Sequence, residues 1–153
     1  MSSLKLKVPP VALVLLAGGL MWLITATTPE LSFAAPARQA LAAATVGLGV
    51  AIVAVGVWAF RKAKTTVNPM KPESSSVLVT DGIYRWTRNP MYLGFWCLLV
   101  GWGIFLSNAL ALLVPLGFVL YMNRFQIEPE EQALTRLFGQ AFVTYRMRVR
   151  RWI

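Results

Sequence analysis

The sequence predicts an all-α integral membrane protein: four transmembrane helices paired as two hairpins, followed by a C-terminal cytoplasmic helical segment, all in one domain over residues 1–153. Three observations carry that prediction. The chain is 57% hydrophobic with a mean hydropathy of +0.59, too apolar for a soluble domain of this length. Its apolar residues gather in four runs. Its basic residues flank those runs, as membrane surfaces favour.

Val8 to Ala26 is a near-continuous apolar run of 19 residues, long enough to cross about 30 Å of hydrocarbon at about 1.5 Å per residue. It is the first span (8–26). The second (37–60) is interrupted only by Arg38, Gln39 and Thr45 and stops at Arg61-Lys62-Ala63-Lys64. Ser107-Asn108 divides two shorter runs, a turn signal that makes an antiparallel hairpin of spans three (90–106) and four (109–125). Asn89 as N-cap and Pro90 at the first helical position start the third helix, and Asn108 can cap the fourth. Pro115 is expected to bend that fourth helix. A cytoplasmic loop (61–89) and a tail (126–153) complete the chain. In the tail, Phe138-Gly139 reads as the end of one helix before another.

Fourteen of the fifteen Lys and Arg residues lie in the N-terminus, the middle loop, the end of span four and the tail, and only Arg38 lies on the other side, where the loop from Thr27 meets span two. The positive-inside rule then puts both termini in the cytoplasm, leaving the polar segments 69–89 and 128–153 on one side. Lys5 and Lys7 before an apolar core, with Ala34 and Ala35 after it, also fit a cleaved signal. That core exceeds the roughly 7–15 residues usual for a signal, so a retained span is the reading taken. The net charge of +9 belongs with the bilayer rather than with nucleic acid, because the basic residues bracket apolar runs. Ala43, Gly47 and Ala51 form a ridge for close helix contact, within the chain or between copies, though nothing in the sequence indicates a homo-oligomer. Gly94, Cys97 and Gly101 share a face of the third helix that can admit a neighbouring helix or a ligand.

With no histidine and one cysteine, Cys97, the usual zinc sites, Cys-His pairs, Ser-His-Asp triads and internal disulfides are excluded by inventory. Chemistry must rest on carboxylates, arginines, tyrosines, backbone groups or a cofactor. At the cytoplasmic mouth, the start of the third helix with Arg85 and Arg88 favours an anion, and Glu130-Glu131 favours a cation. Tyr84, Trp86 and Tyr92 offer faces for a flat ring. A zwitterionic amino-acid moiety joined to an aromatic base, as in S-adenosyl-L-methionine, would satisfy all three. Caps and acids beside helix ends also occur without any ligand: Asn89-Pro90 as a cap, Tyr84 and Tyr92 as interfacial anchors, Arg146, Arg148, Arg150 and Arg151 as headgroup contacts.

Several motifs in register resemble the isoprenylcysteine carboxyl methyltransferase family and the related phospholipid methyltransferases. They are Leu78-Val79-Thr80-Asp81-Gly82-Ile83-Tyr84, Arg88-Asn89-Pro90-Met91-Tyr92-Leu93-Gly94, Glu130-Glu131, Leu137-Phe138-Gly139, and Tyr145 near Val149-Arg150-Arg151. The resemblance covers residues 69–152 and implies a membrane-embedded methyltransferase, not the Rossmann-type fold of soluble methyltransferases. It implies a cytoplasmic S-adenosyl-L-methionine pocket, roofed by the C-terminal segment and open sideways to lipid. By the family pattern, Ser76, Val77, Leu78, Val79 and Tyr84 would contact the cofactor, Asn89, Pro90, Met91 and Tyr92 would line it, and Glu130 would be its binding acid with Glu131 beside it. Two positions depart from the pattern. Asn89 stands where histidine is more usual, and Gln126 stands where prenylcysteine enzymes often carry a substrate-binding arginine, with Arg124 two residues away. Arg124 and Gln126 are the candidates for orienting the substrate.

Methyl transfer from a sulfonium is an in-line displacement, so the protein must chiefly align the acceptor and exclude water. A carboxylate acceptor needs no base, whereas an ammonium would have to lose a proton to Glu131 or a water. The expected function is therefore methyl transfer to a lipid-like acceptor, with isoprenylcysteine-type O-methylation favoured by the resemblance. The alternatives are amine N-methylation of a phospholipid, a related membrane reductase using a nicotinamide cofactor, and a non-enzymatic membrane partner or transporter subunit. No catalytic residue is assigned.

Overall fold

A computed structural model describes residues 6–29, 35–65, 70 and 72–153. Lys5, Ala34 and Pro69, to which the sequence also gives roles, lie outside the described residues. The described residues are all-helical, with α1 at Pro10–Thr27, α2 at Ala35–Lys62, α3 at Pro90–Leu106, α4 at Val114–Tyr121, α5 at Glu128–Phe138 and α6 at Gln140–Arg148. Single 3₁₀ turns lie at Pro72–Ser74, Gly82–Arg85 and Ala111–Leu113.

Two helices, α1 and α2, are long and apolar enough to cross a membrane. Both are apolar around their whole circumference and mostly uncovered by protein. Leu15, Leu16 and Leu20 on α1 and Leu41, Leu48 and Trp58 on α2 are exposed. A helix apolar on every face and mostly uncovered by protein matches lipid as its solvent. The helix α3 is shorter and lies at the centre: α2 packs along it extensively, while α1 packs on α3 and α4. The first two helices therefore do not form a closed hairpin, and each bears on α3 instead. The core lies among α1, α3 and α4, around Met21, Leu99, Ala111, Phe118, Met122 and Ile127.

Small residues set the α2–α3 contact. A Cβ on Gly94 would fall 2.5 Å from Val53 Cγ2 and 2.7 Å from the Gly49 carbonyl oxygen, so only hydrogen fits there. The buried stripe on α2 is Ala42, Gly49 and Gly56, one residue in seven, rather than the expected ridge of Ala43, Gly47 and Ala51, which faces outward. The face of Gly94, Cys97 and Gly101 receives α2, a helix rather than a ligand.

At the far end of α3, Ser107 adopts a left-handed conformation (φ 52°) and ends the helix. Asn108 caps the next turn: its Oδ1 accepts from the Ala111 N–H at 3.0 Å, while its Nδ2 donates to Thr28 Oγ1 and the Pro29 carbonyl. It thereby joins the end of α1 to the turn before α4.

The path from residue 111 onward differs from expectation in two ways. The chain stays helical through Phe138 rather than leaving the fourth helix near residue 125. Pro115 lies in the first turn of α4, where its missing N–H is no loss, so it is not a mid-helix bend. The irregularity comes at Met122–Ile127, a wide π-turn. Pro129 explains it, because a proline ring clashes with the carbonyl four residues back and offers it no N–H. That carbonyl, of Phe125, instead accepts from the Leu6 N–H at 3.1 Å, which ties the N-terminal segment to the turn.

Candidate active site

Four polar or amphipathic pieces converge beside the N-terminus of α3 and enclose an open-sided pocket with a cavity volume of about 110 Å³. The extended segment Val77, Leu78 and Val79 makes one wall, and the backbone N–H and C=O groups of Leu78 and Val79 pair with nothing among the described residues. Gly82, in a left-handed conformation (φ 62°), begins the turn that carries Tyr84 into the pocket. The Tyr145 hydroxyl donates to the Tyr84 carbonyl at 2.7 Å, and the Phe60 ring meets the Tyr84 ring edge-on at 5.4 Å. These contacts fix the ring, yet the Tyr84 hydroxyl itself has no hydrogen-bond partner among the described residues. Burial, and then the neighbouring Tyr145 and Glu130, push its pKa up, so it stays a neutral hydrogen-bonding group.

The start of α3 contributes Asn89, Met91 and Tyr92, and α5 contributes Glu130, Glu131 and Leu134. Pro129 is the second residue of α5, and the first turn of that helix carries Glu128, Glu130 and Glu131. Glu130 Oε1 accepts from both the Tyr92 hydroxyl and Gln126 Nε2. Burial pushes the Glu130 carboxyl up to about 7, against the opposing effect of those two donors.

Glu131 has a different environment. Arg151 grips it through Nη2 at 2.7 Å and Nε at 3.1 Å, a bidentate pair. Arg88 Nη1 lies 3.0 Å away but is misaligned for a hydrogen bond, so that contact is charge against charge. Burial lowers the Arg88 pKa and the Glu131 charge opposes this, while the hydrogen bonds to Glu131 raise Arg151.

The C-terminal segment forms the roof. The Arg151 carbonyl accepts from Asn89 Nδ2 at 2.9 Å and from the Thr87 hydroxyl, and the Arg88 N–H donates to the Arg150 carbonyl. Asn123, in the π-turn, accepts from Trp152 Nε1 at 3.0 Å.

Of the candidate cofactor residues, the pocket gathers Val77, Leu78, Val79, Tyr84, Asn89, Met91, Tyr92, Glu130 and Glu131. Others sit elsewhere. Ser76 turns to Thr65, its N–H and hydroxyl both lying within hydrogen-bond reach of Thr65 Oγ1. Pro90 is buried in the first turn of α3 beneath the pocket wall. Asn89 occupies the N-cap position but makes no side-chain cap, because its amide serves the roof. Arg124 is exposed and pairs with Glu128 at 2.8 Å, and Gln126 is buried under Glu130, so neither substrate candidate lines the pocket. Arg85 pairs with Asp81 on the surface, and Trp86 is exposed. The separate anion and cation poles expected at the mouth are therefore partly closed on each other, since Arg88 faces Glu131. Arg151 points inward rather than to headgroups. Phe60, Leu134 and Phe142 also line the pocket, and their apolar character is indistinguishable in sequence from ordinary core.

The pattern of phospholipid methyltransferase matches residues 37–141, which holds α2, α3, α4, α5 and most of the pocket. The chain belongs to the phospholipid methyltransferase family. A protein-S-isoprenylcysteine O-methyltransferase of Saccharomyces cerevisiae is 35% identical over 82 residues, 52% of this chain and 33% of that protein. Its Xenopus laevis counterpart is 37% identical over 78 residues, 49% of this chain and 26% of that protein. An uncharacterized protein of Haemophilus influenzae is 41% identical over 63 residues, 41% of this chain and all of that protein. The match thus spans about a quarter to a third of the length of the isoprenylcysteine methyltransferases. No solved structure matches. Within the family assignment, the paired arginines on Glu131 are the part of the site that no single motif announces.

Proposed function

We propose that the chain is an S-adenosyl-L-methionine-dependent methyltransferase of the membrane, acting on an amphipathic acceptor that arrives from the bilayer. In this reading one domain spans the membrane four times, both termini are cytoplasmic, and the pocket opens at the cytoplasmic leaflet. The observation that carries it is the convergence, in one pocket, of an unpaired extended backbone, an unpartnered tyrosine hydroxyl and a desolvated carboxyl, in a chain of this family.

These residues fit the cofactor's chemistry. Leu78 and Val79 offer backbone donors and acceptors to a flat base, Tyr84 offers a hydroxyl, and the apolar walls of Phe60, Leu134 and Phe142 exclude water. Glu130, poised near neutrality, is the acid to receive an ammonium, and a bound cation would favour its ionised form. When bound, the cofactor supplies an electrophilic methyl group on a sulfonium. The Glu131 charge is already met by Arg151 and Arg88, and its work is to anchor the roof through Arg151. An ammonium acceptor would therefore lack the base expected of Glu131, whereas a carboxylate acceptor needs none. That favours isoprenylcysteine-type O-methylation.

S-adenosylhomocysteine should bind the detergent-purified protein, and Glu130→Gln should weaken it by about tenfold, as loss of a charge-assisted hydrogen bond does. Calorimetry detecting no binding by the folded wild type would overturn the reading. Incubation with labelled S-adenosyl-L-methionine and total lipid extract, followed by mass spectrometry, identifies the acceptor.

A further inference from the structure

A second cavity lies against the proposed cofactor pocket. It is about 300 Å³, sits between the end of α2 and the chain leading to Gly82, and shares Val77, Leu78 and Val79 with the first pocket as a common wall. On its α2 side stand Trp58 and Lys62, one helical turn apart. The Lys62 ammonium lies 5.3 Å from the centroid of the Trp58 ring, which is itself 61% exposed.

These two residues define depth and charge. Tryptophan concentrates where hydrocarbon meets headgroups, and a lysine one turn further along points into the headgroup layer. Lys62 has no carboxylate partner among the described residues. The other charged group on the wall, Asp81, is already paired with Arg85 at 3.2 Å. The cavity thus has an apolar, lipid-facing side and one uncompensated cation, separated from the cofactor pocket by the three residues Val77, Leu78 and Val79.

We propose that this cavity docks the oxyanion headgroup of an amphiphile, a carboxylate or a phosphate. Lys62 holds the anion and the tail lies in lipid along Trp58. The site is the waiting position of the methyl acceptor, and it rests on the methyltransferase reading for that role though not for its binding chemistry. The acceptor then passes the segment Val77–Val79 to reach the pocket.

The test uses the full chain in phosphatidylcholine nanodiscs, with tail-brominated amphiphiles as quenchers of tryptophan fluorescence. Brominated phosphatidic acid and brominated fatty acid are compared with brominated phosphatidylcholine. Both anionic probes should quench at about fivefold lower mole fraction than the zwitterionic one, the effect of one lysine at the interface. That excess should vanish in Lys62→Gln, persist in Lys62→Arg, and lose its signal in Trp58→Phe. Arg61→Gln removes the same charge outside the cavity and should leave it intact. A response to only one probe identifies the oxyanion as phosphate or carboxylate. Equal quenching by all three probes, or equal losses in Lys62→Gln and Arg61→Gln, overturns the proposal. S-adenosylhomocysteine calorimetry on the same variants keeps the readings separate: anion docking without cofactor binding sinks the methyltransferase reading and leaves the docking site standing.

Discussion

Glu130 is the residue on which the pocket's electrostatics turn. Its carboxyl titrates near 7 rather than near 4.5 because burial outweighs the help of Tyr92 and Gln126. Between those values the folded chain holds a proton that the unfolded chain has released, so stability is greatest on the acid side and falls as pH rises toward 7. Ligand binding should run the other way, since an ammonium needs the ionised form. S-adenosylhomocysteine affinity should drop about tenfold from pH 8 to pH 6, and Gln126→Leu, which removes a donor that favours the ionised form, should move the midpoint upward. Calorimetry at several pH values checks both. Tyr84 makes the complementary case: its hydroxyl pairs with nothing among the described residues, so Tyr84→Phe should change thermal stability by less than about 0.5 kcal/mol while weakening the ligand about fivefold. Much of the site was legible at this scale, because Leu78, Val79, Tyr84, Tyr92 and Glu130 stand in motifs with a fixed order. The partner of Glu131 was not. Arg151 is one of five arginines in the tail, and only the roof's hydrogen bonds to Thr87 and Asn89 and its pairing with Glu131 single it out.

Among the elements, α1, α2 and α3 follow the apolar runs closely, since hydropathy over a span-length window leaves little choice of conformation. What those runs do not encode is which face meets which. Both candidate stripes on α2 consist of small residues, and the choice of Ala42, Gly49 and Gly56 is made by Gly94 and Gly101 on another helix. Gly94→Val should therefore destabilise the protein by about 1–3 kcal/mol through overpacking, where Gly47→Val, with open space around it, should not. Thermal unfolding in detergent separates the two. The π-turn was hidden for a related reason: Pro129 announces a helix start in sequence, but a proline whose preceding residues are already helical widens the turn instead of ending it.

For the molecule as a whole, the distribution of basic residues predicts sidedness. With Cys97 buried and unreactive, single cysteines can be introduced against a silent background. Lys62→Cys and Lys64→Cys should react with an impermeant maleimide only from the cytoplasmic side, and Arg38→Cys only from the opposite side; the reverse pattern would invert the proposed orientation. The centrality of α3 reaches further than packing. Because α1 and α2 each lean on it and hardly on one another, and because α1 lines none of the pocket and lies outside the matched family segment, α1 supports the site only through the core it shares with α3 and α4. Damage to that outer rod should therefore register first as a loosened fold, and reach the chemistry only through it.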